Sequence, residues 1–140
     1  MSKFESVVVK MPDGILRSID VRVSEDEPWE LEFCGFDGII QHYRGTDLFE
    51  ALRAMREDFQ SVGCQLLCAG ARLDVTPSRM SRSMSGGRKV YIVHAGRAAS
   101  LTDLVDIFEY ADATLVGTVE QQKKYIQSWL QSLQGIRERR

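Results

Sequence analysis

A strict alternation of apolar and polar residues in the first third of the chain limits its possible folds more than any other feature. In the segment WELEFC, Trp29, Leu31 and Phe33 alternate with Glu30 and Glu32. Successive side chains of a β-strand point to opposite faces, so this segment predicts a strand with one buried face and one wet, acidic face. A sheet that is wet on one side is typically antiparallel.

Turn residues divide the flanking sequence into further strands. The tetrapeptide MPDG at residues 11–14 predicts a tight turn, because proline presets φ and glycine accepts a positive φ. We therefore predict an antiparallel meander whose strands lie at residues 6–10, 15–23, 29–34 and 39–43.

Two later segments have the apolar period of an amphipathic helix. The first covers about residues 47–62, with Thr46 as its predicted N-cap and Gly63 at its end. The second covers about residues 118–134, opens on the capping-box pair Thr118 and Gln121 and ends at Gly135. Around them we predict strands at 64–69, 90–94 and 105–108, a helical turn within 98–104, and a long loop at 70–89 that is rich in Pro, Ser and Gly.

The predicted fold class is therefore α+β, with a mainly antiparallel sheet packed on one face by these two helices. We expect residues 1–135 to form a single domain and the basic residues 136–140 to form a frayed tail. The predicted core consists of Val8, Ile19, Trp29, Leu31, Phe33, Phe49, Leu52, Phe59, Leu66, Ile92, Ile126 and Trp129.

Residues that commonly carry chemistry are few in this chain. Cys64 and Cys68 would lie about 13 Å apart on a strand, too far to share one metal ion. Cys34, His42 and Asp37 could be assembled into a nucleophilic site, but no spacing in the sequence brings them together. We therefore predict buried free thiols and expect no catalytic residue, no metal site and no cofactor.

No apolar run approaches the roughly 18 residues that span a bilayer, and the N-terminus lacks the pattern of a signal peptide. The sequence thus favours a cytoplasmic protein without a membrane partner.

Charge is distributed unevenly, although the formal net charge is only −2. Residues 1–60 carry 13 acidic and 7 basic side chains, whereas residues 72–97 carry 6 basic side chains and one acidic side chain. The acidic part predicts a contact surface for a basic partner, because such charges steer association. This predicted surface consists of Glu25, Asp26, Glu27, Glu30, Glu32 and Asp37.

The basic segment predicts a second candidate site, around Gly86 and Gly87. Guanidinium groups and glycine amides suit phosphate, and methionines between arginines suit a protein interface. The segment has neither a Walker pattern nor interleaved aromatic residues, so direct nucleic-acid binding is not expected. This site, in the loop at 77–89, consists of Arg79, Met80, Arg82, Met84, Arg88 and Lys89.

Two stretches that together cover about residues 60–133 resemble segments of small bacterial proteins encoded near polymorphic-toxin genes. They are GCQLLCAGARLDVTPSRMSRSMSGGRKVY and VDIFEYADATLVGTVEQQKKYIQSWLQSL. The resemblance, to immunity proteins of contact-dependent-inhibition and Rhs systems, implies a cytoplasmic protein that binds and neutralises a cognate toxin without catalysis. It fixes no residue roles.

The predicted function is therefore that of a non-catalytic immunity protein whose partner is a cognate toxin. A basic nuclease domain would suit the acidic surface, which could imitate the charge of its substrate. The alternative is a phosphate- or nucleotide-binding protein, or an enzyme, that uses the basic loop at 77–89. The oligomeric state stays open.

Overall fold

Two antiparallel sheets and three α-helices make up the part of the chain that is described, residues 2–35 and 37–138 of a computed structural model. Residues 2 and 135–138 are described by their backbone alone. The predicted α+β fold is confirmed.

The larger sheet has five strands in the order β4-β3-β2-β1-β5, and all neighbouring strands are antiparallel. The tight turn at residues 11–14 joins the first two strands as predicted, with a hydrogen bond of 2.8 Å from the Gly14 amide to the Met11 carbonyl. The strands are β1 (Ser2–Lys10), β2 (Leu16–Ser24), β3 (Glu30–Cys34), β4 (Ile40–Arg44) and β5 (Gln65–Leu67).

One face of this sheet is buried and the other is wet, as the alternation predicted. Leu31 and Phe33 on β3 are buried, whereas Glu30 and Glu32 lie on the outer face. The predicted core residue Val8 is only partly buried and packs against the core, whereas its neighbours Val7 and Val9 occupy the buried inner face of β1.

Helix α1 (Leu48–Ser61) packs on the inner face of the sheet and contacts β3, β4 and β5. Its N-cap is Asp47 and not Thr46 as predicted, because the Asp47 side chain accepts the Glu50 amide at 2.8 Å. Phe49 and Leu52 of this helix are fully buried in the core beneath the sheet.

The segment 70–89 is not the long loop that the sequence predicted. It contains β6 (Val75–Thr76) and helix α2 (Arg79–Ser85), which Ser78 and Ser81 open with a capping box. Strand β6 pairs with β7 (Lys89–Ile92), and β7 pairs with β8 (Leu104–Asp106), to form a second, three-stranded sheet.

Helix α3 (Val119–Glu138) packs on α1 and β6. The predicted capping box is confirmed by reciprocal hydrogen bonds between Thr118 and Gln121. The helix continues past Gly135 to Glu138, so its predicted end was wrong; residues 139–140 of the predicted tail lie outside the described residues.

Five predicted core residues are less buried than expected. Two of them, Ile126 and Trp129, lie on α3, which covers the second sheet less completely than α1 covers the first. Partly exposed in the structure are Val8, Trp29, Ile92, Ile126 and Trp129.

Buried polar groups join α3 to α1. Arg56 on α1 is 2% exposed and Gln122 on α3 is fully buried. Arg56 donates to Gln122 Oε1 at 2.8 Å and to the Gly117 carbonyl at 2.9 Å, while Gln122 donates to the carbonyls of Gly70 and Arg72 at 3.0 and 2.7 Å. Burial lowers the pKa of Arg56 to about 10. We call these five residues the polar seam.

Candidate functional site

Several cations of the basic segment form ion pairs with carboxylates of the same chain. Arg82 forms an ion pair with Asp47, the N-cap of α1, and its other guanidinium nitrogen lies 3.8 Å from a Glu50 oxygen. Farther along, Arg88 bonds Glu5 at 2.6 Å and Asp106 at 2.8 Å. These contacts attach α2 and the second sheet to the rest of the molecule, and they reduce the positive charge available to a phosphate.

The two glycines in this segment serve close packing. A Cβ on Gly86 would lie 2.4 Å from the Trp29 ring, and one on Gly87 would lie 2.7 Å from the Asp47 side chain. Both glycines have positive φ, and the Gly86 carbonyl accepts the Leu48 amide at 2.6 Å. The backbone at this point therefore satisfies the N-terminus of α1.

The exposed part of the basic segment is the outer side of α2. Arg79 is exposed, and Met80 and Met84, one helical turn apart, are 60% and 81% exposed. Lys89 is half-buried and lies 3.6 Å from Asp106. The structure thus separates the two predicted methionines from the paired cations Arg82 and Arg88.

The six predicted acidic residues do not form one surface. Glu25, Asp26 and Glu27 are exposed in the connection between β2 and β3. Glu30 and Glu32 lie on the outer face of the five-stranded sheet.

The outer-face glutamates have basic neighbours. Glu30 contacts His42 at 2.8 Å and Arg44 at 3.6 Å, and Glu32 contacts Arg22 at 3.5 Å. Asp37 lies apart from both groups, in the turn between β3 and β4, where it lines a pocket.

This pocket opens where the C-terminal end of α1 meets the ends of β3 and β4, and its volume is about 410 Å³. The β1–β2 turn closes one side, and the last turn of α1 closes another. Its walls are largely apolar and include Met11, Phe33, Tyr43, Phe59, Val62 and Cys64.

Burial within the pocket is graded from floor to mouth. Phe33 and Phe59 form the floor; each is 7% exposed, and their ring centroids are 5.3 Å apart. Val62 at the mouth is 66% exposed, so apolar surface is open to solvent here.

Two carboxylates stand at the rim of the pocket, Asp37 and Asp58. Asp37 accepts the Ile39 amide at 3.0 Å, and Asp58 accepts the Tyr43 hydroxyl at 2.6 Å. Across residues 2–35 and 37–138, neither carboxylate forms an ion pair with a cation. We call the pocket together with Asp37 and Asp58 the acidic pocket.

Two groups that line the acidic pocket, the Tyr43 phenol and the Cys64 thiol, have pKa values raised by their surroundings. Burial, followed by the hydrogen bond to Asp58, raises the pKa of the Tyr43 phenol. Burial and the charge of nearby Asp13 raise the pKa of the Cys64 thiol. A thiol nucleophile needs a lowered pKa, so the environment of Cys64 does not activate it.

The structure does not assemble the nucleophilic set considered from the sequence. Cys34 and His42 lie on the outer face of the sheet, whereas Asp37 lines the acidic pocket. Cys34 is exposed, so the prediction of three buried thiols is wrong for this cysteine and right for Cys64 and Cys68.

Sequence reasoning named Asp37 but missed the rest of the acidic pocket. The other lining residues include Met11, Phe59 and Val62, which come from segments that are distant in sequence. The local sequence around each of them is typical of an ordinary core or turn residue. One available signal was Val62, an apolar residue directly before the helix-ending Gly63.

Comparison with known proteins found no family model and no curated protein that matches this chain. Among the described residues, no helix combines the length and the hydropathy that a bilayer crossing requires.

Proposed function

We propose that this chain is a non-catalytic binding protein of the immunity type, and that its acidic pocket receives an apolar side chain of a basic protein partner. The partner we infer is a cognate toxin, with a basic nuclease domain as the best-fitting kind. The toxin class comes from the resemblance described above, and the chemistry of the contact comes from the acidic pocket.

The observation that carries the proposal is the combination of an open apolar cavity with rim carboxylates that form no ion pair with a cation in the described part of the chain. Binding energy at protein interfaces concentrates in a few apolar or aromatic residues that fill well-packed pockets. Rim charges steer a partner of opposite charge and favour one orientation. An aromatic or aliphatic side chain flanked by Lys or Arg satisfies both requirements.

The openness of the pocket favours a protein over a small molecule. Sites for small ligands bury most of the ligand surface, whereas Val62 at this mouth is 66% exposed. A protein partner would cover Val62 and the neighbouring surface together, and that burial would add apolar area to the contact.

The phosphate-binding alternative has weaker support. Arg82, Arg88 and Lys89 lie against internal carboxylates, and Gly86 packs under the Trp29 ring. A phosphate in this segment would have to displace contacts that attach the second sheet. The outer side of α2, with Met80 and Met84, stays a second candidate surface for a protein.

The direct test is co-expression with the C-terminal domain of the protein encoded by the neighbouring gene, with cell survival and co-purification as readouts. We expect the wild-type chain to protect cells and to form a complex. The double variant D37N/D58N should weaken the complex about tenfold or more, because asparagine keeps the hydrogen-bond acceptors and removes only the charges.

A matched control is D26N/E27Q, which makes the same change of charge in the exposed β2–β3 connection. We expect this control to bind and protect as the wild type does. Absence of both complex and protection would contradict the immunity function. If the control fails while D37N/D58N protects, the partner binds the acidic connection and not the acidic pocket.

A further inference from the structure

Three side chains with metal-binding atoms converge on the outer face of the five-stranded sheet. Glu30 and Glu32 lie two residues apart on β3, and His42 lies on the neighbouring strand β4. Register places His42 directly opposite Glu32. The three ligand atoms all lie within 4.8 Å of one another.

The spacing of these atoms fits one small ion. The His42 Nδ1 atom is 2.8 Å from Glu30 Oε1 and 3.3 Å from Glu32 Oε1. Zinc binds histidine nitrogen and carboxylate oxygen at about 2.0 to 2.2 Å, which places tetrahedral ligands about 3.3 to 3.5 Å apart. The two distances from His42 Nδ1 are therefore within about 0.5 to 0.7 Å of this separation, and the third pair lies within 4.8 Å.

Two arginines lie beside the glutamate oxygens that face away from His42. Arg22 lies 3.5 Å from the second oxygen of Glu32, and Arg44 lies 3.6 Å from the second oxygen of Glu30. Each carboxylate thus presents a single oxygen, Oε1, to the histidine. This arrangement holds the three ligand atoms on strands of a sheet and not on mobile loops, which is the usual requirement for a preorganised site.

We propose that Glu30, Glu32 and His42 bind a zinc ion, with the fourth position open to solvent. Three protein ligands and a water are a normal zinc arrangement, and imidazole nitrogen separates this set from an ordinary acidic cluster. The site lies on the outer face, and the acidic pocket lies at the end of the inner face. Its test is therefore independent of the proposed function.

The experiment is a zinc titration of the full, tag-free chain by calorimetry, with the thermal midpoint measured in parallel. The C34S variant serves as the background, because exposed Cys34 lies on the same face and could bind zinc itself. We expect one zinc ion per chain and an upward shift of the midpoint, since a ligand that binds only the folded state stabilises it.

Substitution of single ligands tests the assignment. H42Q and E32Q, each in the C34S background, should weaken zinc binding about tenfold or more. The matched control is H94Q, because exposed His94 pairs with a single carboxylate among the described residues, Asp103 at 3.6 Å. This control should bind zinc as the background does.

Cobalt gives a second readout. Co²⁺ in a four-coordinate site absorbs visible light more strongly than hydrated Co²⁺, and this band should appear on titration and disappear in H42Q. All substituted side chains are partly or fully exposed, so folding can be checked by the midpoint without metal. A lack of zinc binding in C34S, or equal binding by H42Q and H94Q, would overturn the proposal.

Discussion

The polar seam and the acidic pocket lie along the same helix, α1, yet they use charge in opposite ways. In the seam, Arg56 is 2% exposed and its donors meet Gln122 and backbone carbonyls. At the pocket, Asp37 and Asp58 are exposed and accept hydrogen bonds from neutral groups, the Ile39 amide and the Tyr43 hydroxyl. The polar groups of the seam join α1 to α3, whereas the carboxylates of the pocket are accessible to another molecule.

The basic segment resembles the polar seam in how it uses its charge. Arg82 and Arg88 pair with carboxylates from distant parts of the chain, so their charges also serve tertiary structure. Substitutions in the seam, and of Arg82 or Arg88, should therefore lower stability, and charge substitutions at the pocket should change binding while stability stays nearly constant.

The largest effect is expected for R56M in the polar seam. Loss of the guanidinium removes the donor to the part-buried Gly117 carbonyl and leaves Gln122 Oε1 with the longer 3.3 Å hydrogen bond from Arg53 Nε, which should lower the free energy of unfolding by about 3 kcal/mol. Urea denaturation measures this value. The control R79M makes the same change at an exposed position and should stay within about 0.5 kcal/mol of wild type. A loss below about 1 kcal/mol for R56M would show that the seam is not a stabilising junction.

The next largest effect is expected at Asp47, where the basic segment contacts the start of α1. D47A removes both the cap of the Glu50 amide and the ion pair with Arg82, and should cost about 2 kcal/mol. D47N keeps a good N-cap and removes the charge, so it should cost about 1 kcal/mol or less. Equal losses in the two variants, measured by urea denaturation, would assign the whole effect to the ion pair.

A smaller effect is expected for Y43F in the acidic pocket. The variant loses the hydrogen bond to Asp58, which should cost about 1 kcal/mol at neutral pH. The pKa of the Tyr43 phenol is raised in the folded state, so its contribution to stability is present below about pH 10 and is lost as the pH rises further. Y43F should therefore lose less stability than wild type between neutral pH and about pH 10.5.

Exposed Tyr125 supplies the control for this pH dependence. Y125F should follow the wild-type stability profile, measured by denaturation at both pH values. If Y43F and wild type lose equal stability at high pH, the Tyr43 hydroxyl is not held in its neutral form by the fold.

These regions also differ in how far the sequence predicts them. The alternation of Leu31 and Phe33 with glutamates predicted the buried and wet faces of β3, and the apolar period predicted α1, because both signals are local. Helix α2 was missed because RMSRSMS is short and its two methionines are exposed, so it has no buried apolar face; its capping box and the Arg82–Asp47 contact define it instead. That contact joins residues that are far apart in sequence.

The candidate sites also differ in how far the local sequence predicts them. The acidic residues Glu30 and Glu32 could be placed on one face from the alternation, and pairing across the β3–β4 turn adds His42 to them. The acidic pocket depends on the packing of α1 against the sheet, which brings together Met11 from the β1–β2 turn, Tyr43 from β4 and Phe59 from α1. No local sequence pattern predicts that these three residues lie together.

The smallest effect on stability is expected for D37N/D58N. The substituted amides keep the acceptors for the Ile39 amide and the Tyr43 hydroxyl, so the free energy of unfolding should change by less than about 0.5 kcal/mol. A loss comparable to that of Y43F, measured by urea denaturation, would mean that the rim charges serve the fold and not a partner.

The central claim is that the acidic pocket binds an apolar side chain flanked by cations, and amide NMR tests it most directly. The labelled chain is titrated with the capped tripeptide Arg-Phe-Arg and, as a matched control, with Glu-Phe-Glu. We predict that Arg-Phe-Arg shifts the signals of Asp37, Gln41 and Val62, that Glu-Phe-Glu does not, and that D37N/D58N removes the difference. Equal shifts with both peptides, or shifts centred away from the acidic pocket, would contradict the claim.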